Sequence, residues 1–316
     1  MKSGAIIAVM LTLSSAAFAQ DKSPAPTAPV SAPKSADLDL AYGAFERGFF
    51  ITAFKQASER AQQNDAAAMT LLGELYAQGL GIPRDDVKAA QWYRAAADRG
   101  DANAMFSLAM FAMQGRGDIT NQNEAVRLLE QAAKLKHPLA AYDLGLLYLQ
   151  GQNVTQDQKR AAELFQIAAD TGNPEAQYAL SNMYKEGTGV PKDLTRSAAL
   201  LAKASVAGNL DAMVEFGIAQ FNGTGVPKQQ TAGAQLLLKA AQRGNPIAQN
   251  RIAHILMTGR GLPANPTEAV KWHIIAKAAG AGDPDLDVYA SKQPTNVREA
   301  ADAAAKKWRS TFVALH

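Results

Sequence analysis

The chain has 316 residues, of which 47% are hydrophobic and 19% are charged, and its formal net charge is only +3. Its basic residues are spread thinly, with no run of five. A nucleic-acid groove needs a clustered basic face, so we expect no nucleic-acid partner. Cysteine is absent, which excludes disulfides, thiolate metal sites and cysteine nucleophiles together.

The N-terminus has the pattern of a secretory signal peptide. Lys2 precedes an apolar run at 5–13, and an Ala-Phe-Ala triplet ends at Ala19. We therefore predict a signal peptide at 1–19 and a periplasmic or secreted protein. The apolar run is too short for a permanent spanning helix, so we expect no membrane span in the mature form. A retained anchor is the alternative interpretation, and no cysteine follows for lipid attachment.

The next segment has the composition of a spacer. Residues 20–37 contain four prolines among Ala, Ser and Lys. Such a stretch buries too little apolar surface to fold, which predicts a disordered Pro/Ala-rich spacer at 20–37. Residues 38–65 then show helix-turn-helix spacing and are interpreted as an N-terminal capping hairpin.

A repeat of 36 residues dominates the rest of the chain. The period is marked by six glycines: Gly79, Gly115, Gly151, Gly187, Gly223 and Gly259. Within each copy, apolar residues recur at i, i+4 and i+7 or i+8, which is typical of two amphipathic helices. We predict six 36-residue copies at 66–281, stacked as an all-α protein, an α/α superhelical solenoid of helix-turn-helix repeats.

Two columns of the repeat carry helix-capping residues. The first precedes helix A and reads Asp101, His137, Asn173, Asn209, Asn245. The second precedes helix B and reads Asp85, Asn121, Asp157, Asp193, Gln229, Asn265. Asn and Asp accept hydrogen bonds from the free amides of a first helical turn. Copy one is therefore expected to form helices near 66–78 and 86–99. Residues 282–316 are interpreted as a connection and a C-terminal capping helix.

Several strings resemble the Sel1-like repeat, a relative of the tetratricopeptide repeat. They are Glu-Ala-Gln-Tyr-Ala-Leu at 175–180, Gly-Thr-Gly-Val-Pro at 187–191 and Lys-Ala-Ala-Gln-Trp-Tyr-Arg-Ala-Ala at 88–96. The ends of the chain also resemble those of secreted or periplasmic members from alphaproteobacteria. The resemblance covers about two thirds of the chain. It implies a scaffold for protein complexes, and some bacterial members restrain envelope signalling or meet host factors. Gly233 and Asn153 depart from the usual pattern.

The resemblance also suggests where a partner would bind. In tetratricopeptide stacks, helix A lines the concave face, and five of its columns point into the groove. Carried onto this chain, those columns predict a partner-binding set: Phe106, Met110, Met113, Tyr142, Leu146, Leu149, Tyr178, Ile218 and Phe221. Met and aromatic side chains suit adaptable recognition of a protein or peptide. Two interpretations stay open: a true partner groove, or packing of these residues against the next helix A.

The sequence offers no convincing catalytic constellation. None of its four histidines is spaced i, i+3 or i, i+4 from another, so we expect no metal site and no cofactor. The Gly-x-Gly turns lack the third glycine and the preceding strand of a phosphate-binding fingerprint. Ser31 and Lys34 match a Ser-x-x-Lys pattern, but they lie in the predicted spacer without its companion motifs.

These inferences favour a non-enzymatic, periplasmic protein–protein interaction scaffold or regulator that binds through its concave face, in envelope signalling as the leading version. The alternatives are a secreted host-interaction factor and a β-lactam-related hydrolase. The partner's identity and the oligomeric state are not encoded in any motif.

Overall fold

A computed structural model describes residues 40–117 and 121–315, with side chains up to 312. The predicted signal peptide and spacer lie outside this part, as do Ser31 and Lys34. Every regular element within it is a helix. The helices run α1 Leu40–Glu46, α2 Phe50–Ala61, α3 Ala66–Gln78, α4 Asp86–Ala97, α5 Ala102–Gln114, α6 Gln122–Lys134, α7 Pro138–Gln150, α8 Gln158–Asp170, α9 Pro174–Glu186, α10 Leu194–Val206, α11 Leu210–Asn222, α12 Gln230–Gln242, α13 Pro246–Thr258, α14 Pro266–Ala278, α15 Pro284–Ser291 and α16 Thr295–Leu315.

The helices stack in chain order. Each copy of the repeat supplies a helix A and a helix B, beginning with α3 and α4 in copy one and ending with α13 and α14 in copy six. Helix A packs against the helix B of its own copy, and each helix B packs against the helix A of the next. The predicted solenoid of helix pairs is confirmed.

Both predicted capping columns act as expected, with one exception. Before helix A, the side chains of Asp65 and of all five predicted residues accept from a backbone amide of the first turn. Before helix B, five of the six residues do the same. Gln229 makes no side-chain cap bond at the start of α12. Its side chain is one methylene group longer than that of Asn, so its oxygen does not lie where Asp and Asn accept from the first-turn amides.

Glycine is required in the turns for two reasons. Gly79 and its five equivalents end helix A in the left-handed conformation, with φ of 71° at Gly79. The second turn glycine packs onto the preceding copy, since a Cβ on Gly117 would lie 2.6 Å from the carbonyl oxygen of Asp86. Asn153 occupies this column in copy three and keeps a positive φ of 59°.

Small residues set the spacing within the core. Ala176, at the centre of the array, is 0% exposed, as are its equivalents Ala104, Ala140, Ala212 and Ala248. The buried apolar side chains do not form one continuous cluster. A first group runs from Ala41 to Met183, a small second one joins Leu201, Ala204 and Ala212, and a third begins at Met213.

The ends of the array are covered by additional helices. At the N-terminus, α1 packs against α2, and α2 packs against α3. At the C-terminus, α16 packs along α14, where Trp308 lies between Trp272 and Phe312 with ring centroids 5.6 and 4.7 Å away. The segment predicted as a plain connection contains the eight-residue helix α15, because Asp283 caps it and Pro284 starts it.

Candidate functional site

The nine residues predicted to bind a partner lie on the helix-A elements α5, α7, α9 and α11. We call this set the helix-A stripe. All nine side chains are half-buried, so each is shared between the core and the accessible surface. The helix A of four successive copies therefore presents a broken row of apolar side chains.

The first part of the helix-A stripe is anchored by neighbouring helices. The ring of Phe106 stacks on His137, with centroids 4.9 Å apart and an interplanar angle of 25°. His137 is itself fixed, because its Nδ1 accepts from the amide of Ala140 at 3.1 Å. Tyr142 contacts Phe165 at 5.7 Å between centroids. Packing against the start of the next helix A at Phe106, and against helix B of the same copy at Tyr142, thus accounts for part of each ring.

The remaining residues of this part also divide their surface between two environments. Met110, Met113, Leu146 and Leu149 pack on the first buried cluster while staying partly accessible. Beside them, burial raises the pKa of Asp143 to about 6. Asp143 makes no hydrogen bond or ion pair with any described residue. The surroundings of this carboxyl are therefore poor in water and in polar partners.

The same face also has a cavity of about 570 Å³ between copies four and five. It brings together two residues of the helix-A stripe, Tyr178 and Ile218, with Val214 from the same groove columns. Helix α10 supplies Ser197, Ala198 and Leu201 to its wall, and the rim carries charged groups: Lys185, Glu186, Lys192, Asp211 and Glu215. The other seven residues of the stripe do not line it.

Polar contacts hold the mouth of the cavity in shape. Lys185 Nζ donates to Glu215 Oε2 at 2.9 Å, and the Tyr178 hydroxyl donates to Glu215 Oε1 at 3.2 Å. Both contacts join α9 to α11. Burial, and then the negative charge of Glu215, raise the pKa of Tyr178 to about 12, so its hydroxyl stays protonated and can donate. On the far side, Asn245 Nδ2 donates to Asp211 Oδ1 at 3.3 Å.

The cavity has a simple origin in the repeat. Ala219 lines it at a column where every other copy has a large side chain: Leu75, Phe111, Leu147, Met183 and Ile255. The wall opposite carries Ser197, in a column of small residues. Nothing fills the space that a large side chain at 219 would take. Our sequence reasoning missed this site, although the exceptional alanine in its column was the available signal.

Phe221 is held at the edge of the next copy. The Arg260 guanidinium lies over its ring, 5.7 Å from the centroid. A Cβ on Gly233 would lie 2.6 Å from the amide nitrogen of Phe221, so α11 and α12 approach each other closely here. The departure from Ala at 233 thus has a packing reason.

The histidines of copy six serve the C-terminal end of the array. His254 Nε2 lies 3.0 Å from Asp283 Oδ2, and this contact, foremost, lowers the pKa of Asp283 to about 2. His273 is buried, with its Nε2 2.8 Å from Asp287 Oδ1. Across the described ranges, no three His, Cys, Asp or Glu side chains are grouped to hold a metal ion.

Comparisons with known proteins agree with the observed architecture. The Sel1 repeat family model matches six times, at residues 66–101, 102–137, 138–173, 174–209, 210–245 and 246–280. A Sel1 repeat protein from Oxalobacter formigenes is similar in structure, with a TM-score of 0.62 and 27% identity over 77% of this chain and 97% of that one. No curated protein matches the sequence.

A second solved structure shares the fold. It is c5321, a protective antigen present in uropathogenic Escherichia coli strains, with a TM-score of 0.56 and 23% identity. The match covers 83% of this chain and 65% of that one, so this chain spans less than two thirds of its length. Among the helices of the described part, none combines the length and hydropathy needed to cross a bilayer.

Proposed function

This chain belongs to the Sel1 repeat family, and on that premise we propose that it binds another protein through the helix-A stripe. Proteins built from these repeats are generally scaffolds for protein–protein interactions and typically have no catalytic role. The proposal extends that general role to a particular face of this molecule.

The observation that carries the proposal is the open cavity between copies four and five. It adjoins the only face on which we predicted partner-binding residues, and its volume of about 570 Å³ lies in the range of sites that hold ligands. The half-buried apolar side chains of α5 and α7 extend the same face over two further copies. A preformed surface of this kind loses little conformational entropy when a partner docks.

We further propose that the protein acts outside the cytoplasm, as a regulator or scaffold in the cell envelope. The support is the signal-peptide pattern at 1–19. A role as a secreted host-interaction factor differs only in destination. Fractionation of cells into cytoplasm, periplasm and medium, probed with an antibody to the chain, separates these versions, and retention in the cytoplasm contradicts both.

The binding surface is tested by crosslinking in intact cells followed by mass spectrometry. The double variant Tyr142→Asp with Leu146→Asp should keep its helical circular dichroism and lose the crosslinked partner. The matched control is Val206→Asp on α10, a side chain that is 91% exposed and outside the helix-A stripe. If the folded double variant crosslinks as well as wild type, the proposal fails. If the variant loses its helicity, these residues serve internal packing instead.

A further inference from the structure

We infer that the cavity between copies four and five receives one bulky apolar side chain of the partner, next to a lysine or arginine of the same peptide. This inference rests on the proposed function and adds the chemistry of the partner. It is drawn from the residues that line the cavity and from the charge at its rim.

The apolar part of the argument comes from Ala219. In the five other copies a buried Leu, Phe, Met or Ile side chain stands at this position, and Phe111 packs against Tyr93 of the preceding helix B. Here the space at this position is bordered by Ala198, Leu201 and Val214 and is open to the groove. A side chain from outside can therefore take the place that the chain itself fills elsewhere, with the same gain from removing apolar surface from water.

A hydroxyl on the same wall offers a place for a polar contact. Ser197 lines the cavity and is 3% exposed. It makes no side-chain hydrogen bond with any described residue. A peptide that fills the cavity would shield this hydroxyl from water, and its backbone can bond the hydroxyl in place of water.

The charge at the rim selects a basic neighbour for the apolar anchor. Lys185 is neutralised by Glu215, at 2.9 Å. The remaining charged groups of the lining are the carboxylates of Glu186 and Asp211 against the single cation Lys192. Neither carboxylate has a cationic partner among the described residues. A lysine or arginine that flanks the anchor would complete this rim.

Two occupants from the chain itself fit less well. The segment 20–37 has no aromatic, Leu, Ile or Met residue, and Val30 is its largest apolar side chain. A second copy would have to use a side chain that is already carried on its folded helices or their ends, such as Phe49 or Ile51, which are 58% and 73% exposed, instead of an extended segment. We therefore commit to a peptide from a different protein.

The inference is tested with displayed random twelve-residue peptides selected on the mature wild-type chain. Enriched peptides are then synthesised and titrated by fluorescence anisotropy. We expect them to share a large apolar residue within two positions of Lys or Arg. Ala219→Leu should raise the melting temperature and weaken their binding at least tenfold. Ala219→Met, which copies residue 183 of the same column, is the second variant should the first fail to fold.

The control is Gly43→Ala on α1, which adds helix stability far from the cavity and should leave the affinity unchanged. Peptides that bind Ala219→Leu as tightly as wild type, but not the Tyr142→Asp and Leu146→Asp variant, would overturn the inference and leave the proposed function standing. Enriched peptides that are acidic would also overturn it, and a selection that enriches nothing would count against both proposals.

The two other occupants give distinct results in the same assay. If deletion of residues 20–37 tightens peptide binding tenfold, that segment fills the cavity and the inference is wrong. If the wild type self-associates in sedimentation and Ala219→Leu abolishes the association, the occupant is a second copy. The inference that a different protein fills the cavity is then wrong.

Discussion

Gly73 and Tyr93 are in contact so close that a Cβ on residue 73 would lie 2.5 Å from the ring atom Cδ1 of Tyr93. Copies three and five show the same arrangement, with Gly145 against Phe165 and Gly217 against Leu237. In copy two the equivalent pair is Ala109 with Leu129. The rings of Tyr93 and Phe165 thus each face a glycine, although a glycine also faces Leu237 in copy five.

We predict that Gly73→Ala destabilises the protein by about 1–3 kcal/mol, because the methyl group overpacks against Tyr93. The control is Gly43→Ala in α1, where nothing lies within 4 Å of the new Cβ, and it should stabilise by about 0.5–1 kcal/mol. Urea denaturation measures both. The double variant Gly73→Ala with Tyr93→Leu, which imitates copy two, should lose less than the sum of the two single changes.

Asp143 should make stability depend on pH. Its pKa is about 6 in the folded protein and 3.8 in its ordinary state, so folding favours the protonated form. The folded state therefore carries no penalty below pH 3.8, loses stability as the pH rises towards 6, and keeps the full penalty above that.

Asp143→Asn removes this penalty. We expect it to stabilise the protein by about 1–3 kcal/mol at pH 7.5 and to have little effect near pH 3.8. Denaturation of the variant and the wild type at both pH values gives the difference directly. Asp98→Asn, at an exposed position, is the control. An equal effect of Asp143→Asn at both pH values would contradict the assignment.

Gln229 is a site where the chain can be stabilised. It stands in the capping column before α12 but makes no side-chain bond to the helix. Gln229→Asp should restore the bond seen at Asp157 and raise stability by about 0.5–1 kcal/mol. The reverse change, Asp157→Ala, should lower it by a similar amount. Melting curves of both variants test this, and an unchanged melt for Gln229→Asp would show that the turn before α12 prevents capping.

Arg116 connects copy two to copy one. Its guanidinium donates to both carboxylate oxygens of Asp86, at 2.8 and 2.9 Å, and lies 4.1 Å from the ring centroid of Phe111. We expect Arg116→Ala to cost about 1–2 kcal/mol. Arg84, which also bonds Asp86 but has a side chain 60% exposed against 28% for Arg116, is the control and should matter less.

This pair should weaken in acid. Arg116, and then Arg84, hold the pKa of Asp86 below its ordinary value of 3.8. The stabilisation is therefore present above that value and is lost as the pH falls through the lower pKa of the folded state. The difference between wild type and Arg116→Ala should shrink below pH 3.8, and a constant difference would contradict the ion pair as its cause.

The repeated features of the fold could be predicted because the same physical need recurs in each copy. Asp and Asn are favoured where the free amides of a helix start need an acceptor, and glycine is favoured at a left-handed turn residue. The roles of Asn173 and Gly187 could therefore be predicted from their positions in the repeat. The helix α15 was missed because it occurs once, with no period to reveal it.

The candidate site exists because two helices that face each other both carry small side chains at the same place. Inspection of one repeat column at a time does not show this. Ala219 reads as an ordinary helix residue until its opposite wall is known to be equally small at Ser197. The half-burial of Phe106 likewise depends on His137, which was recognised as a cap but not as a stacking partner. Whether the helix-A stripe binds a partner stays a prediction.

The interruption of the buried clusters between Met183 and Met213 bears on how the array melts. In a linear array, each copy is stabilised only through its immediate neighbours. The unfilled space beside Ala219 leaves the junction of α10 and α11 with less apolar packing than a large side chain there would give, so we expect the copies before it and those after it to behave as two blocks that unravel at different denaturant concentrations. An apolar side chain bound beside Ala219 would couple the two blocks. Binding at this one junction would then make the whole array stiffer.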